Sequence, residues 1–155
     1  MPPEQALRRV LEDAPFVPRR LYASDQARCA ELAAELACAW GLELELSRAL
    51  REMHFGVWEG RLYDDIARED ALRWSAWCEG WKHLAPPEGE SLPSFETRIS
   101  AWVSQKRPCS ETLIVTHAGV IRALDVLAGR TWDEVMSREY PYLTWRKHVV
   151  PRAAL

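Results

Sequence analysis

Residues 112–124, TLIVTHAGVIRAL, set the strictest condition on the fold. The four residues TLIV show no alternation of apolar and polar side chains, so a strand here needs cover on both faces. Strands inside a parallel sheet flanked by helices meet that condition. After His117 the spacing turns helical, and Gly129 stops the helix. The segment is therefore a strand-to-helix junction with an ionisable ring at the joint. In open α/β sheets, ligands bind just beyond the carboxyl ends of such strands.

The rest of the chain repeats the alternation. Residues 3–13 put Ala6, Leu7, Val10 and Leu11 on one helical face, and Pro15 and Pro18 end that helix. RRLYAS (residues 19–24) reads as a strand, with Ser24 or Asp25 placed to cap a helix over about residues 25–40 that Gly41 terminates. LELEL (42–46) alternates apolar and charged residues, as a strand with one wet face near a sheet edge does. REMHFGVWEGRLYDDI is turn and loop, leading into an irregular helical region that runs to about residue 83, and LAPPEGES breaks it. Leu92, Phe95, Ile99, Trp102 and Val103 define one face of the next helix. TWDE from Thr131 has the form of a capping box, and TWRKHVV (144–150) reads as a last strand. These elements predict one α/β domain over residues 1–155, a sheet with helices on both faces.

Composition narrows the function. A chain of 155 residues supports one domain with a real core. A net charge of −3 without any basic run gives no footprint for nucleic acid, and no apolar stretch is long enough to span a membrane. The first fifteen residues lack the apolar segment of a secretory signal. Cys29, Cys38, Cys78 and Cys109 form no C-x-x-C pair, and Cys29 and Cys38 fall on opposite faces of one predicted helix. Reduced thiols in a cytoplasmic protein without a metal or other cofactor follow as expectations. Trp58, Trp74, Trp77 and Trp81 crowd one stretch. Helix packing accounts for them, and an aromatic wall beside a pocket for a flat organic group is the alternative.

Three strand ends carry the chemistry. Ala118-Gly119 lets backbone approach closely beyond His117, and the first N–H groups of the following helix favour an anion there. Taken alone, the stretch fits a hydrogen-bonded loop histidine as well as a phosphate contact. Ser24 and Arg28 follow RRLYA one helical turn apart, and a guanidinium so placed can grip two phosphate oxygens, or simply sit on the surface of an amphipathic helix. Glu52 follows LELEL, where a carboxyl group beside a bound phosphate can protonate a leaving alkoxide or can be a solvated loop carboxylate.

In combination these segments resemble the histidine phosphatase superfamily, the phosphoglycerate mutase-like fold. LYASDQAR is similar to its serine-x-x-x-arginine segment, LREMHFGVWEG to L-x-E-x-x-F-G-x-W-E-G, PPEGES to P-x-G-G-E-S, and IVTHAGVIRAL to its second-histidine motif. The resemblance runs from about residue 18 to the C-terminus and implies a three-layer α/β/α fold. It also implies a phosphomonoester hydrolase acting on a small phosphorylated organic molecule, with Arg28 and Ser24 binding phosphate beside the Gly119 backbone, Glu52 as the acid and His117 as the second pocket histidine. The tryptophan-rich middle is most similar to the alpha-ribazole phosphatase branch, which belongs to cobalamin assembly.

The chain departs from the family in one respect. His54, His83, His117 and His148 are its histidines, and none stands in the R-H-G triplet that holds the family's nucleophile. The sequence is thus expected to start after the family's first strand, which is central in its sheet. Three outcomes compete: a phosphatase lacking its N-terminal segment, an inactive relative that binds a phosphorylated ligand, or an interaction module. In the last, a second copy (a homodimer) or a rearranged sheet fills the gap.

Overall fold

Strand β1 (Arg20–Ser24) holds the sheet together, because the four residues after Arg20 are all buried. In the computed structural model, which describes residues 3–148, it pairs in parallel with β2 (Leu44–Ser47) on one side and β3 (Thr112–Val115) on the other. The order is β2-β1-β3, with Leu21 opposite both Leu44 and Leu113. Successive side chains of β1 point to opposite faces. Leu21 packs with Val10 of α1 (Pro3–Glu12) and with Leu36 and Ala37 of α2 (Ala27–Trp40). Tyr22, on the other face, meets Trp102 of α5 (Leu92–Lys106) edge to face at 5.2 Å. Helices therefore cover both faces, as TLIV requires.

These elements, except residues 92–98 of α5, belong to one compact unit, residues 1–52 with 99–155, which also contains α6 (Ala118–Leu127) and α7 (Trp132–Met136). Gly41 closes α2 in the left-handed region at φ 63°, where a side chain would be strained. Thr131 and Glu134 form the capping box of α7 reciprocally. Arg122 on α6 lays its guanidinium 4.5 Å from the Tyr140 ring centre, a cation–π contact. The Tyr140 hydroxyl donates to Asp125 at 2.7 Å, and Trp145 Nε1 donates to the Val10 carbonyl at 3.1 Å, fastening the segment after α7 to α6 and α1.

Residues 53–98 form the second unit, with α3 (Tyr63–Glu69) and α4 (Ala71–Gly80) where one irregular helical region was expected. Its centre is aromatic. Trp58 is 2 % exposed, meets Trp74 and Trp77 edge-on at 5.4 and 5.9 Å, and donates its indole N–H to Asp70 at 2.9 Å. Trp74 stacks on both Tyr63 and Trp77. Within this unit the rings spend their faces on one another.

Three expectations need correction. TLIV lies at the edge of the sheet, each of its residues part-buried. A continuous apolar run reports cover on two faces, and says nothing about which strands lie alongside. The family's first strand, expected to be absent, leaves no gap beside β1, which is paired on both sides; among the described residues β3 pairs with β1 alone, so its outer edge is where a further strand could join. Neither Ser24 nor Asp25 caps α2; the N-cap is Gln26, without a side-chain bond, because both candidates are engaged elsewhere. Residues 144–148 form no strand, and the rest of TWRKHVV lies outside the described residues.

Candidate functional site

Two strand ends converge on His117. The chain leaves β3 through Thr116, whose hydroxyl donates to the Leu50 carbonyl at 2.8 Å and so ties the loop after β3 to the loop after β2. His117 is the N-cap residue of α6 in extended backbone conformation, and it is 5 % exposed. Its Nε2 lies 2.9 Å from Ser24 Oγ at the end of β1. Its Nδ1 lies 3.0 Å from Arg28 Nε and 2.8 Å from Arg28 Nη2, on the first turn of α2. A guanidinium has only hydrogens to offer, so Nδ1 accepts and the ring proton resides on Nε2, donated to Ser24. Ser24, fully buried, also accepts the Gln26 N–H at 3.3 Å.

This arrangement keeps the ring neutral. Burial first, and the Arg28 charge second, push the His117 pKa down to about 4. Cys29 Sγ completes the enclosure, 3.6 and 3.8 Å from the two ring nitrogens, and burial pushes its thiol up to about 11. The sulfur is thus an uncharged wall, poorly suited to act as a nucleophile.

Glu52 sits at the other side of the α6 N-terminus. Its carboxylate accepts the Gly119 N–H at 3.1 Å, supplying from a distant loop the N-terminal cap that His117 does not make. A Cβ at Gly119 would fall well inside contact distance of Glu52 Oε1, so any larger residue there would make the Glu52 carboxylate move aside. One step back, Asp25 takes both donors of Arg51 at 2.7 Å, fixing the loop that carries Glu52 against the loop that carries Ser24. The guanidinium holds the Asp25 carboxyl below the usual carboxylate range.

All five residues singled out in the sequence thus lie around one helix N-terminus, in two subsets. Ser24 and Arg28 contact His117, while Gly119 contacts Glu52. The Gly119 N–H expected to receive an anion is occupied by the Glu52 carboxylate. Cys29, Thr116 and the Asp25–Arg51 pair were not singled out. Adjacency to Arg28, His117 and Glu52 was the only signal they carried. Among the described residues, no group of three or more His, Cys, Asp or Glu is arranged to hold a metal, and no helix is long and apolar enough to cross a membrane.

Chemically, the site presents the Arg28 guanidinium, a neutral imidazole and a helix start whose Gly119 N–H is taken by the Glu52 carboxylate. Groups of these kinds can hold an oxyanion and pass it a proton. The description Histidine phosphatase superfamily (branch 1) matches residues 4–148, and the chain belongs to that family. The adenosylcobalamin/alpha-ribazole phosphatase of Salmonella typhimurium is 32% identical over 123 residues, 77% of this chain and 60% of that protein. The protein of the same name from Escherichia coli is 36% identical over 86 residues, 54% of this chain and 42% of its own length. The crystal structure of the alpha-ribazole phosphatase from Shigella flexneri superposes with a TM-score of 0.75 at 28% identity, covering 86% of this chain and 68% of that one. The chain thus spans 60% or less of the length of these two curated relatives.

Because the Glu52 carboxylate occupies the helix start, Glu52→Gln should tighten sulfate binding about fivefold. The gain is the ~1 kcal/mol that one like charge about 4 Å away costs even at the dielectric of bulk water. Isothermal titration at constant ionic strength measures it, and unchanged or weaker binding would place Glu52 away from the anion.

Proposed function

We propose that this chain carries the phosphate-binding and proton-donating part of a phosphomonoester hydrolase, with alpha-ribazole 5'-phosphate, a cobalamin precursor, as the substrate. The observation that supports it is the convergence of Arg28, Ser24 and His117 on one point beyond two strand ends, in a member of a phosphatase family. Arg28 would hold two oxygens of the phosphoryl group, His117 a third, and Glu52 would protonate the departing alkoxide. The substrate rests on the names of the relatives. The family's covalent reaction needs a nucleophilic histidine, and no R-H-G triplet occurs among these 155 residues. That favours a second reading for the chain as it stands: a protein that binds the phosphorylated compound without turning it over.

The 155-residue chain should therefore hydrolyse p-nitrophenyl phosphate at a rate near background, because losing the nucleophile of a covalent mechanism costs several orders of magnitude. Turnover that survives His117→Ala would contradict the assignment of the site. For the substrate, alpha-ribazole 5'-phosphate should compete with inorganic phosphate for the chain, and alpha-ribazole without its phosphate should not. Equal binding of the two would remove phosphate recognition from the account.

A further inference from the structure

Arg28 uses its fork in an unusual way. Its Nε and Nη2 both aim at Nδ1 of His117, at 3.0 and 2.8 Å. A ring nitrogen offers one lone pair, whereas a guanidinium fork matches two oxygens side by side. One of the two donors is therefore poorly served, while Arg28 itself is exposed and open to an anion arriving from solvent. We infer that an oxyanion draws the Arg28 fork away from His117, and that the vacated Nδ1 takes a proton from solvent and donates it to the same anion. Binding and protonation then form one event. This rests on the reading of the site as a phosphate site.

The surroundings of the ring support the exchange. Nε2–H already has its acceptor in Ser24 Oγ, so only Nδ1 can gain the proton. The groups facing His117 are Ser24 from β1, Arg28 and Cys29 from α2, and, across the α6 N-terminus, the Glu52 carboxylate on the Gly119 N–H. In the free protein the nearest charge is the Arg28 cation, which disfavours a second positive charge on the ring. A bound dianion reverses the sign of that local field, and an opposite charge at this range raises a histidine pKa by about 1–3 units.

The sign of the linkage follows. Below the free-state value of about 4 the ring is charged with or without the anion, so affinity is greatest there and flat. Above the bound-state value the ring is neutral in both states, and affinity is lowest and flat again. Between the two, each anion brings a proton, and affinity weakens by up to about tenfold per pH unit as pH rises.

Histidine-resolved NMR on the full chain, with sulfate as the probe, tests this. Sulfate has no proton to release in the working range, so any proton taken up belongs to the protein. On saturation, the titration midpoint of the His117 ring should rise by about one unit or more, while His54, His83 and His148 keep theirs. In Arg28→Gln the free midpoint should start higher and sulfate should move it less. If sulfate saturates the amide shifts of residues 24–28 and 117–119 and the His117 midpoint stays put, the exchange is wrong although the anion site stands. An undiminished response in Arg28→Gln would overturn the exchange in the same way. If no sulfate concentration shifts those amides, the phosphate-site reading fails and the exchange fails with it.

Discussion

Replacing Arg28 with alanine should raise the Kd for inorganic phosphate at pH 8 by about thirtyfold or more, or ~2 kcal/mol, the low end for removing one partner of a hydrogen-bonded charge pair. At that pH His117 is neutral, so the Arg28 guanidinium, the one full positive charge touching the ring among the described residues, supplies most of the attraction. Arg28→Lys should recover part of the loss and no more, since an ammonium keeps the charge and gives up the fork. Apolar packing should survive either change because Arg28 is exposed, but Arg28→Ala takes the donor from the buried Nδ1 of His117 and should lower stability by about 1–3 kcal/mol. Titration calorimetry, paired with a thermal melt of each variant, separates the two effects. A variant that binds phosphate as tightly as the parent would remove Arg28 from the site.

The largest effect on stability is expected for Trp58→Ala. Trp58 is 2 % exposed, and its indole contacts both Trp74 and Trp77. Truncating a buried tryptophan to alanine costs about 3–5 kcal/mol through lost transfer energy and the cavity left behind. The Asp70 carboxylate also loses its indole donor, keeping Arg73 as partner at 2.7 Å. Trp58→Phe should cost less, since it refills part of the volume, although it lacks the N–H and one ring of the indole. The tryptophans were open to two readings, packing or an aromatic wall for a ligand, and this experiment weighs the first. A melt within about 1 kcal/mol of the parent would mean that Trp58 is not central to the second unit.

The sequence was most legible where local chemistry alone decides the structure. Thr131 and Glu134 stand three apart and cap α7, and Gly41 ends α2 in the backbone region glycine favours. The alternation of LELEL put β2 near a sheet edge, where it lies. What failed depended on partners far away in the chain. TLIV reports burial on two faces, but its hydrogen-bond neighbour is chosen by the whole sheet, and β3 took an edge beside β1. Ser24 reads as a helix cap because serine commonly is one, yet its oxygen meets His117, 93 residues later. The candidate site shows the same division. Ser24, Arg28, Glu52, His117 and Gly119 stood out because each follows a strand end. That the Glu52 carboxylate would occupy the Gly119 N–H, and that Cys29 would wall the imidazole, could emerge only from three-dimensional proximity.

The position of a bound tungstate tests the site most directly. A crystal of the chain grown with tungstate should show the tungsten anomalous peak placed so that tungstate oxygens lie within hydrogen-bond reach of the Arg28 guanidinium and the His117 ring, with Ser24 still on Nε2 and the Arg28 fork turned to the anion. Tungstate bound elsewhere, with Arg28 still directed at Nδ1 of His117, would contradict the assignment of these residues as an oxyanion site.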